Sequence, residues 1–146
     1  MKTPRGFTAI ELTIVIVLIG LLSALAAPRL LDRQALAERA SADELRALLR
    51  SARQLAVAQE REVCVMVIGA TVQAVHVSAG ACDLATPVAG PGGQGALRLG
   101  APTGMAYTGN PLVRFNARGQ LNPAVDRVMG IGTRLWRVDR FTGAVS

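Results

Sequence analysis

The chain has 146 residues, a formal net charge of +6 and a mean hydropathy of +0.35. This length is enough for one domain. Because 51% of the residues are hydrophobic and only 18% are charged, the chain is not globally disordered. Two cysteines and one histidine cannot supply a four-ligand zinc site without carboxylates, and a single histidine leaves little room for a Ser-His or Cys-His catalytic pair. The sequence therefore predicts no catalytic residue, metal site or cofactor.

An apolar segment from Phe7 to Ala27 follows a short basic stretch that contains Lys2 and Arg5. As a helix, this segment would span about 32 Å, which is enough to cross a hydrocarbon core of about 30 Å. The two basic residues predict that the N-terminus lies in the cytoplasm. Glu11 is the one charge inside the apolar segment. Such a charge must either reach the membrane interface or find a specific cation.

The residues around Glu11 carry a resemblance to a known family. The sequence from Gly6 to Leu12 is Gly-Phe-Thr-Ala-Ile-Glu-Leu, and it resembles the processing site of type IV prepilins and type II secretion pseudopilins. The resemblance implies that a membrane peptidase cuts after Gly6 and methylates the new N-terminus at Phe7. It also implies that Glu11 neutralises the terminal amine of a neighbouring subunit in a filament. Pro28 matches the proline at which the family's helix leaves the bilayer, and we expect a kink there.

The next segment, residues 29–62, contains no Gly and no Pro and predicts an amphipathic helix continuous with the apolar one. Helical spacing places six residues on one apolar stripe: Leu45, Leu48, Leu49, Ala52, Leu55 and Ala56. Arg46, Arg50 and Arg53 share another face. That face either is solvated or contacts a partner, and the sequence leaves both interpretations open.

Residues 63–146 are predicted to form a small β-rich head. Val63–Ile68 and Thr71–Ser78 flank Gly69-Ala70 and predict a hairpin. Residues 79–111 are rich in Gly, Ala and Pro and predict a mostly flexible loop. Further strands are predicted at Leu97–Leu99, Leu112–Asn116 and Thr133–Asp139, and turns at Arg118-Gly119 and Thr142-Gly143.

The head also resembles one subgroup of the pilin family. The segments Val113–Gly119 and Phe141–Gly143 are similar to those of general secretion pathway H pseudopilins, FimT-type minor pilins and mannose-sensitive haemagglutinin minor pilins. The resemblance implies a small β-sheet packed on a long helix. The predicted fold is therefore α+β, with a transmembrane helix that continues into an amphipathic helix on an antiparallel head. The predicted segments are a cleaved leader (1–6), a transmembrane and filament-core helix (7–28), an amphipathic helix (29–62) and a periplasmic head (63–146).

Cys64 and Cys82 are the only cysteines. Beyond the inner membrane the compartment is oxidising, and the hairpin returns the chain towards Cys64, so we expect a disulfide. Two free thiols are the alternative.

The sequence is compatible with four functions. The first is a minor pseudopilin of a type II secretion system, which is anchored in the inner membrane by one helix and is then incorporated into the pseudopilus. Its partners would be the prepilin peptidase and other pilin-like subunits. The second is a minor type IV pilin that acts in pilus assembly or DNA uptake. The third is a DNA-binding module that uses Arg134, Arg137 and Arg140. The fourth is a secreted protein cut after Ala26, where small residues resemble a signal cleavage site.

Overall fold

The computed structural model describes residues 8–30, 33–93 and 95–146. The chain divides into two compact units, of which the first ends at Leu36 and the second runs from Ala37 to Ser146. The described elements are α1 (Ala9–Leu30), α2 (Arg33–Ala58), β1 (Val63–Ile68), β2 (Thr71–Ser78), β3 (Ala81–Pro87), a short 3-10 turn (Pro91–Gly93), β4 (Arg98–Gly100), β5 (Tyr107–Gly109), β6 (Leu112–Phe115), β7 (Arg127–Ile131) and β8 (Arg134–Val138). The predicted α+β class is confirmed.

Helix α1 begins at a threonine cap. The Thr8 carbonyl accepts the backbone N–H groups of Glu11 and Leu12 at 3.1 and 3.2 Å, and the Thr8 hydroxyl oxygen lies 3.4 Å from the Glu11 nitrogen. These bonds satisfy N–H groups that have no partner inside the first turn of a helix. The helix continues through Pro28. The predicted continuity between the apolar and the amphipathic helix depends on residues 31 and 32, which lie outside the described residues.

The apolar stripe of α2 packs into the core as predicted. Five of its six residues are buried, and Leu55 is half-buried at the edge of the core. The predicted helix end at residue 62 is wrong, because α2 ends at Ala58. Arg61 N–H donates to the Ala56 carbonyl and Glu60 N–H donates to the Val57 carbonyl. With Glu60 at a φ of +51°, this is a Schellman motif without the usual glycine.

The strands form two antiparallel sheets. The larger sheet has the order β3-β2-β1-β6, with β4 beside β2, and the smaller has the order β5-β7-β8. The predicted hairpin is confirmed, and its register pairs Val63 with His76 and Ile68 with Thr71. Side chains alternate along a strand, so Val63 and Val65 face the buried stripe of α2. The core is completed by β6, β7 and β8 through Val113, Phe115, Met129 and Val138.

The prediction of a mostly flexible loop over residues 79–111 is wrong. This segment contains three strands, of which β4 was predicted and β3 and β5 were not. Strand β7, which lies outside this segment, was not predicted either. The missed strands are short, and their pairing stabilises them more than their local propensity does. For example, the Val128 N–H on β7 donates to the Asn110 side-chain oxygen at 2.8 Å, just after β5.

The predicted disulfide is present between Cys64 and Cys82, with their Cα atoms 5.9 Å apart. Cys64 lies on β1 and Cys82 lies on β3, which are the two neighbours of β2 in the sheet. The bridge therefore ties the edge strand β3 to the centre of the sheet.

Candidate functional site

Helix α1 exposes its apolar side chains. All described side chains from Thr8 to Ser23 are exposed, with Ile10 at 70% and Leu22 at 66%. The large exposed apolar residues of α1 are Ile10, Leu12, Ile14, Val15, Ile16, Val17, Leu18, Ile19, Leu21 and Leu22. Complete burial of one such side chain is worth about 1.5–3 kcal/mol. This helix is therefore the strongest candidate for a contact surface in the described chain.

The exposed surface of α1 has no polar side between Ile14 and Ile19. These residues are consecutive, and a helix turns once in about 3.6 residues, so they cover every side of the helix. A helix that is apolar on all sides is normally buried in protein or lipid. Judged by length and hydropathy, none of the helices within the described residues meets the criteria for a membrane span. The membrane-spanning helix therefore stays a prediction.

Glu11 is the one acidic residue of α1, and it lies in the first turn. Within the described part of the chain, its carboxylate has neither a hydrogen bond nor an ion pair, and the side chain is exposed. Thr8 and Glu11 have the spacing of a capping box, which is a local sequence signal for the start of α1. Gly6 and Phe7, the predicted processing residues, lie outside the described residues.

The arginine face of α2 contacts the head of the same chain, an arrangement that neither interpretation of the sequence included. The Arg46 guanidinium carbon lies 4.5 Å from the centre of the Trp136 ring. Arg50 Nη2 lies 3.4 Å from the Val145 carbonyl oxygen, and Arg53 Nε donates to the Gly119 carbonyl at 3.2 Å. These contacts link α2 to β8 and to two loops of the head.

Glu38 fixes the early part of α2 to the turn between β7 and β8. Its Oε1 accepts the backbone N–H and the hydroxyl of Thr133, both at 2.7 Å. The hydroxyl bond, followed by the backbone bond, lowers the pKa of Glu38 below its ordinary value. Gly132 precedes this contact with a φ of +59°, and a Cβ there would lie 2.6 Å from Glu38 Oε1.

Glu62 connects three parts of the head. Its Oε2 accepts hydrogen bonds from Arg114 Nε and Nη2, and its Oε1 accepts Asn122 Nδ2 at 2.8 Å. Arg114 Nη1 also donates to the Gly80 carbonyl at 3.0 Å. The bond from Arg114 holds the pKa of Glu62 below its ordinary value. Each of these contacts lies within one chain, so the cluster supports the fold.

The three arginines of the proposed DNA patch do not lie on one face. Arg134 and Arg137 are exposed, but they point to opposite faces of β8 because side chains alternate along a strand. Arg140 follows the strand, lies 4.0 Å from an Asp126 oxygen and stacks 4.7 Å from the Phe141 ring centre. DNA binding by this set stays a prediction.

Two other titratable groups of the head, Tyr107 and His76, have pKa values that burial shifts. Burial raises the pKa of Tyr107 to about 12, with a smaller contribution from Glu44, and its hydroxyl donates to the Leu99 carbonyl. Burial, together with the charge of Arg61, lowers the pKa of His76. In the described ranges, no group of three His, Cys, Asp or Glu side chains could hold a metal ion.

Comparison of the sequence with known proteins gives a relative among the proteins of type IV pili. The chain is 46% identical over 59 residues to the type IV narrow pilus major component PilA5 of Thermus thermophilus. The match covers 40% of this chain and 51% of that protein, so it spans about half of the relative's length. No protein-family profile matches the sequence.

Comparison of the fold gives crystal structures of the type IV minor pilin FimU of Pseudomonas aeruginosa. One crystal form has a TM-score of 0.60 at 20% identity, and covers 75% of this chain and 86% of that one. A second form has a TM-score of 0.58 at the same identity, and covers 74% and 90%. The likeness shows a shared fold, a helix packed on antiparallel sheets. The sequence comparison and the fold comparison therefore both lead to type IV pilus proteins, the first over 59 residues and the second by fold.

Proposed function

We propose that the chain is a minor structural subunit of a cell-envelope filament and that α1 supplies its contact with the filament core. The observation that carries this proposal is the exposure of apolar side chains on every side of α1. Water is a poor environment for such a helix, whereas a bundle of identical or similar helices would bury it. The role is mechanical, and the described residues are assigned no chemistry on a substrate.

Before assembly, the segment from Phe7 to Ala27 resides in the inner membrane, with its N-terminus in the cytoplasm and the head in the periplasm. Its length of about 32 Å as a helix and its basic leader support this placement. The disulfide between Cys64 and Cys82 is in keeping with an oxidising compartment for the head.

Processing by a prepilin peptidase after Gly6 would create a cationic amine on Phe7, which the same enzyme methylates. Glu11 is the nearest carboxylate in the sequence, and it has no partner within the described residues. An unpaired carboxylate in an apolar filament core is unfavourable, and the amine of a neighbouring subunit would neutralise it. Glu11 therefore sets the axial register of the incoming subunit.

The role of Glu11 is tested with Glu11→Ala in the full chain. The variant should enter the membrane like the wild type, but its recovery in sheared filaments should fall by about tenfold, since an unpaired buried charge is strongly unfavourable. Glu44→Ala, which removes an exposed carboxylate from α2, is the matched control and should assemble normally. Normal incorporation of Glu11→Ala into filaments would refute the proposed role.

The filament is either a type IV pilus or a type II secretion pseudopilus. The pseudopilus is the first interpretation of the sequence. The sequence relative and the structural neighbour named above are both pilus proteins, one a major component and one a minor pilin, which gives more support to a pilus subunit. Deletion of the gene distinguishes the two. A pilus subunit predicts a loss of surface pili with normal secretion of exoproteins, and a pseudopilus subunit predicts the reverse.

A further inference from the structure

Two adjoining depressions lie along the C-terminal half of α2. The first is an open cleft of about 280 Å³ lined by Arg50, Arg53, Gln54 and the segment Gly143–Val145. The second, of about 290 Å³, is lined by Arg53, Gln54, Val57 and Ala58. Because they share Arg53 and Gln54, a single ligand could occupy both.

The first depression is positively charged. Each guanidinium has five N–H donors, and the described contacts use one from Arg50, to the Val145 carbonyl, and one from Arg53, to the Gly119 carbonyl. Within the described residues, no carboxylate oxygen lies within 4.0 Å of either guanidinium. Two arginines with free donors are suited to a carboxylate or a phosphate.

The second depression is apolar. Val57 and Ala58 are both exposed, and Val57 retains 45% of its accessible surface. A ligand that fills both depressions must therefore carry an anionic group beside an aliphatic group. A protein segment with an acidic residue next to a leucine has this chemistry. The phosphate backbone of DNA has no aliphatic group of this kind, so it matches the first depression alone.

The same chain presents such a segment at Asp83 and Leu84 on β3. Leu84 is 53% exposed. Oδ1 of Asp83 accepts the Ala85 N–H at 2.9 Å, and no partner is described for Oδ2. The only comparable pair in the described head, Val125-Asp126, has its carboxylate engaged by the Arg140 backbone N–H at 2.9 Å.

These two surfaces belong to different elements of the chain, since the depressions lie on α2 and the Asp83-Leu84 segment lies on β3. Strand β3 is one edge of the order β3-β2-β1-β6, while Arg53 contacts Gly119 in the loop that follows β6. We propose that the two depressions on α2 bind the Asp83-Leu84 segment of a second copy of this chain. A contact between different surfaces of two copies is heterologous, so a short run of copies within the filament can repeat it when its rotation does not close a ring. The inference rests on the proposed filament role and deepens it by naming the neighbour.

The contact is tested by cysteine cross-linking of the full chain in membranes. Gln54→Cys places a thiol between the depressions, and Ala85→Cys places one beside Leu84. A mixture of the two single variants should give a cross-linked dimer, and the double variant should give a ladder of oligomers. Each single variant alone should give neither product.

Charge variants in the same background test recognition. Arg50→Gln in one partner, or Asp83→Asn in the other, should reduce the dimer yield by about threefold, the effect of one exposed ion pair. Asp83→Asn retains the oxygen that accepts the Ala85 N–H, so the local turn is preserved. Arg39→Gln and Asp43→Asn remove exposed charges elsewhere on α2 and should leave the yield unchanged.

Four results would overturn the inference. The first is a double variant that enters filaments without cross-linking, and the second is a Gln54→Cys variant that cross-links to itself. The third is cross-linking to a different subunit in place of a second copy. The fourth is a dimer yield that Arg50→Gln does not change, although the same variant weakens the retention of duplex DNA. The first of these leaves the proposed filament function intact. A Glu11→Ala variant that fails to assemble but still cross-links through the head would support the contact independently of α1.

Discussion

The guanidinium of Arg46 on α2 stacks on the indole ring of Trp136 on β8, with 4.5 Å between the guanidinium carbon and the ring centre. The Trp136 indole N–H donates to the Ala42 carbonyl at 2.8 Å, one helical turn before Arg46. One ring thus contacts two successive turns of α2, and it joins the smaller sheet to the helix.

Trp136→Phe tests this junction. The substitution retains an aromatic ring beside Arg46 but removes the hydrogen bond to Ala42, so we expect the free energy of unfolding to fall by about 1–2 kcal/mol. Urea titration of the full chain in detergent, followed by circular dichroism, measures the change. Phe141→Leu is the control, because Phe141 is 60% exposed and its loss should change stability by about 0.5 kcal/mol or less. Equal effects of the two substitutions on the free energy of unfolding would contradict the role of Trp136 in joining the smaller sheet to α2.

Glu60→Gly should stabilise the chain. Glu60 ends α2 in the left-handed region, where a side chain is disfavoured by roughly 1–2 kcal/mol and glycine is not. Glycine loses more backbone entropy on folding, so the expected net gain is about 0.5–1 kcal/mol. Ala58→Gly, within the last turn of the helix, should lower the free energy of unfolding by about 0.5–1 kcal/mol. If both substitutions lowered the free energy of unfolding, the left-handed conformation of Glu60 at the end of α2 would be contradicted.

Gly143→Ala should destabilise the head more than Gly69→Ala. The two glycines have similar φ values, +63° and +59°, so the backbone strain of about 1–2 kcal/mol is common to both. A Cβ at Gly69 would meet no atom within 4 Å, whereas one at Gly143 would overlap the Gly119 carbonyl oxygen and lie 3.1 Å from Arg53 Cδ. We expect Gly143→Ala to lower the free energy of unfolding by about 1–3 kcal/mol more than Gly69→Ala does. This difference measures the close contact of Gly143 with Gly119 and Arg53. Equal melting temperatures would argue against the packing of Arg53 over the two turns.

Acidification should destabilise the head in two stages. His76 has its pKa lowered from 6.5 mainly by burial, so folding favours its neutral form and stability is lost as pH falls below 6.5. Glu62 and Asp139 have pKa values lowered from 4.5 and 3.8 by hydrogen bonds, from Arg114 and Thr142 respectively. Their contribution is present above those values and is lost as pH falls through the folded-state pKa.

Melting temperatures between pH 7 and pH 3 measure both stages. His76→Gln should flatten the decline that begins near pH 6.5 and leave the decline caused by the carboxylates. An unchanged upper stage in His76→Gln would show that another group titrates there.

Local patterns predicted much of this fold. The hairpin was predicted with the observed strand bounds, because β-branched residues flank a tight turn at Gly69-Ala70. The buried stripe of α2 was predicted because helical spacing is a local property. The end of α2 was not predicted correctly. The residue in the left-handed conformation there is Glu60, whereas the usual sequence signal for such a helix end is a glycine or an asparagine.

The remaining errors arise from contacts between segments distant in sequence. Strand β7 depends on pairing with β5 and β8, and the Arg46 face finds its partners about 90 residues later, at Trp136. Neither relationship has a local signal. The proposed processing motif from Gly6 to Glu11 is the opposite case, because its signal is a short contiguous sequence.

The most direct test of the filament account is the N-terminus of the protein extracted from the membrane, measured by intact mass and N-terminal sequencing. The account predicts a chain that begins at Phe7 and carries one methyl group on its terminal amine. A chain that begins at Ala27 would show secretion by an ordinary signal peptide, and one that retains the first six residues would show that processing after Gly6 does not occur. Either result would contradict the account.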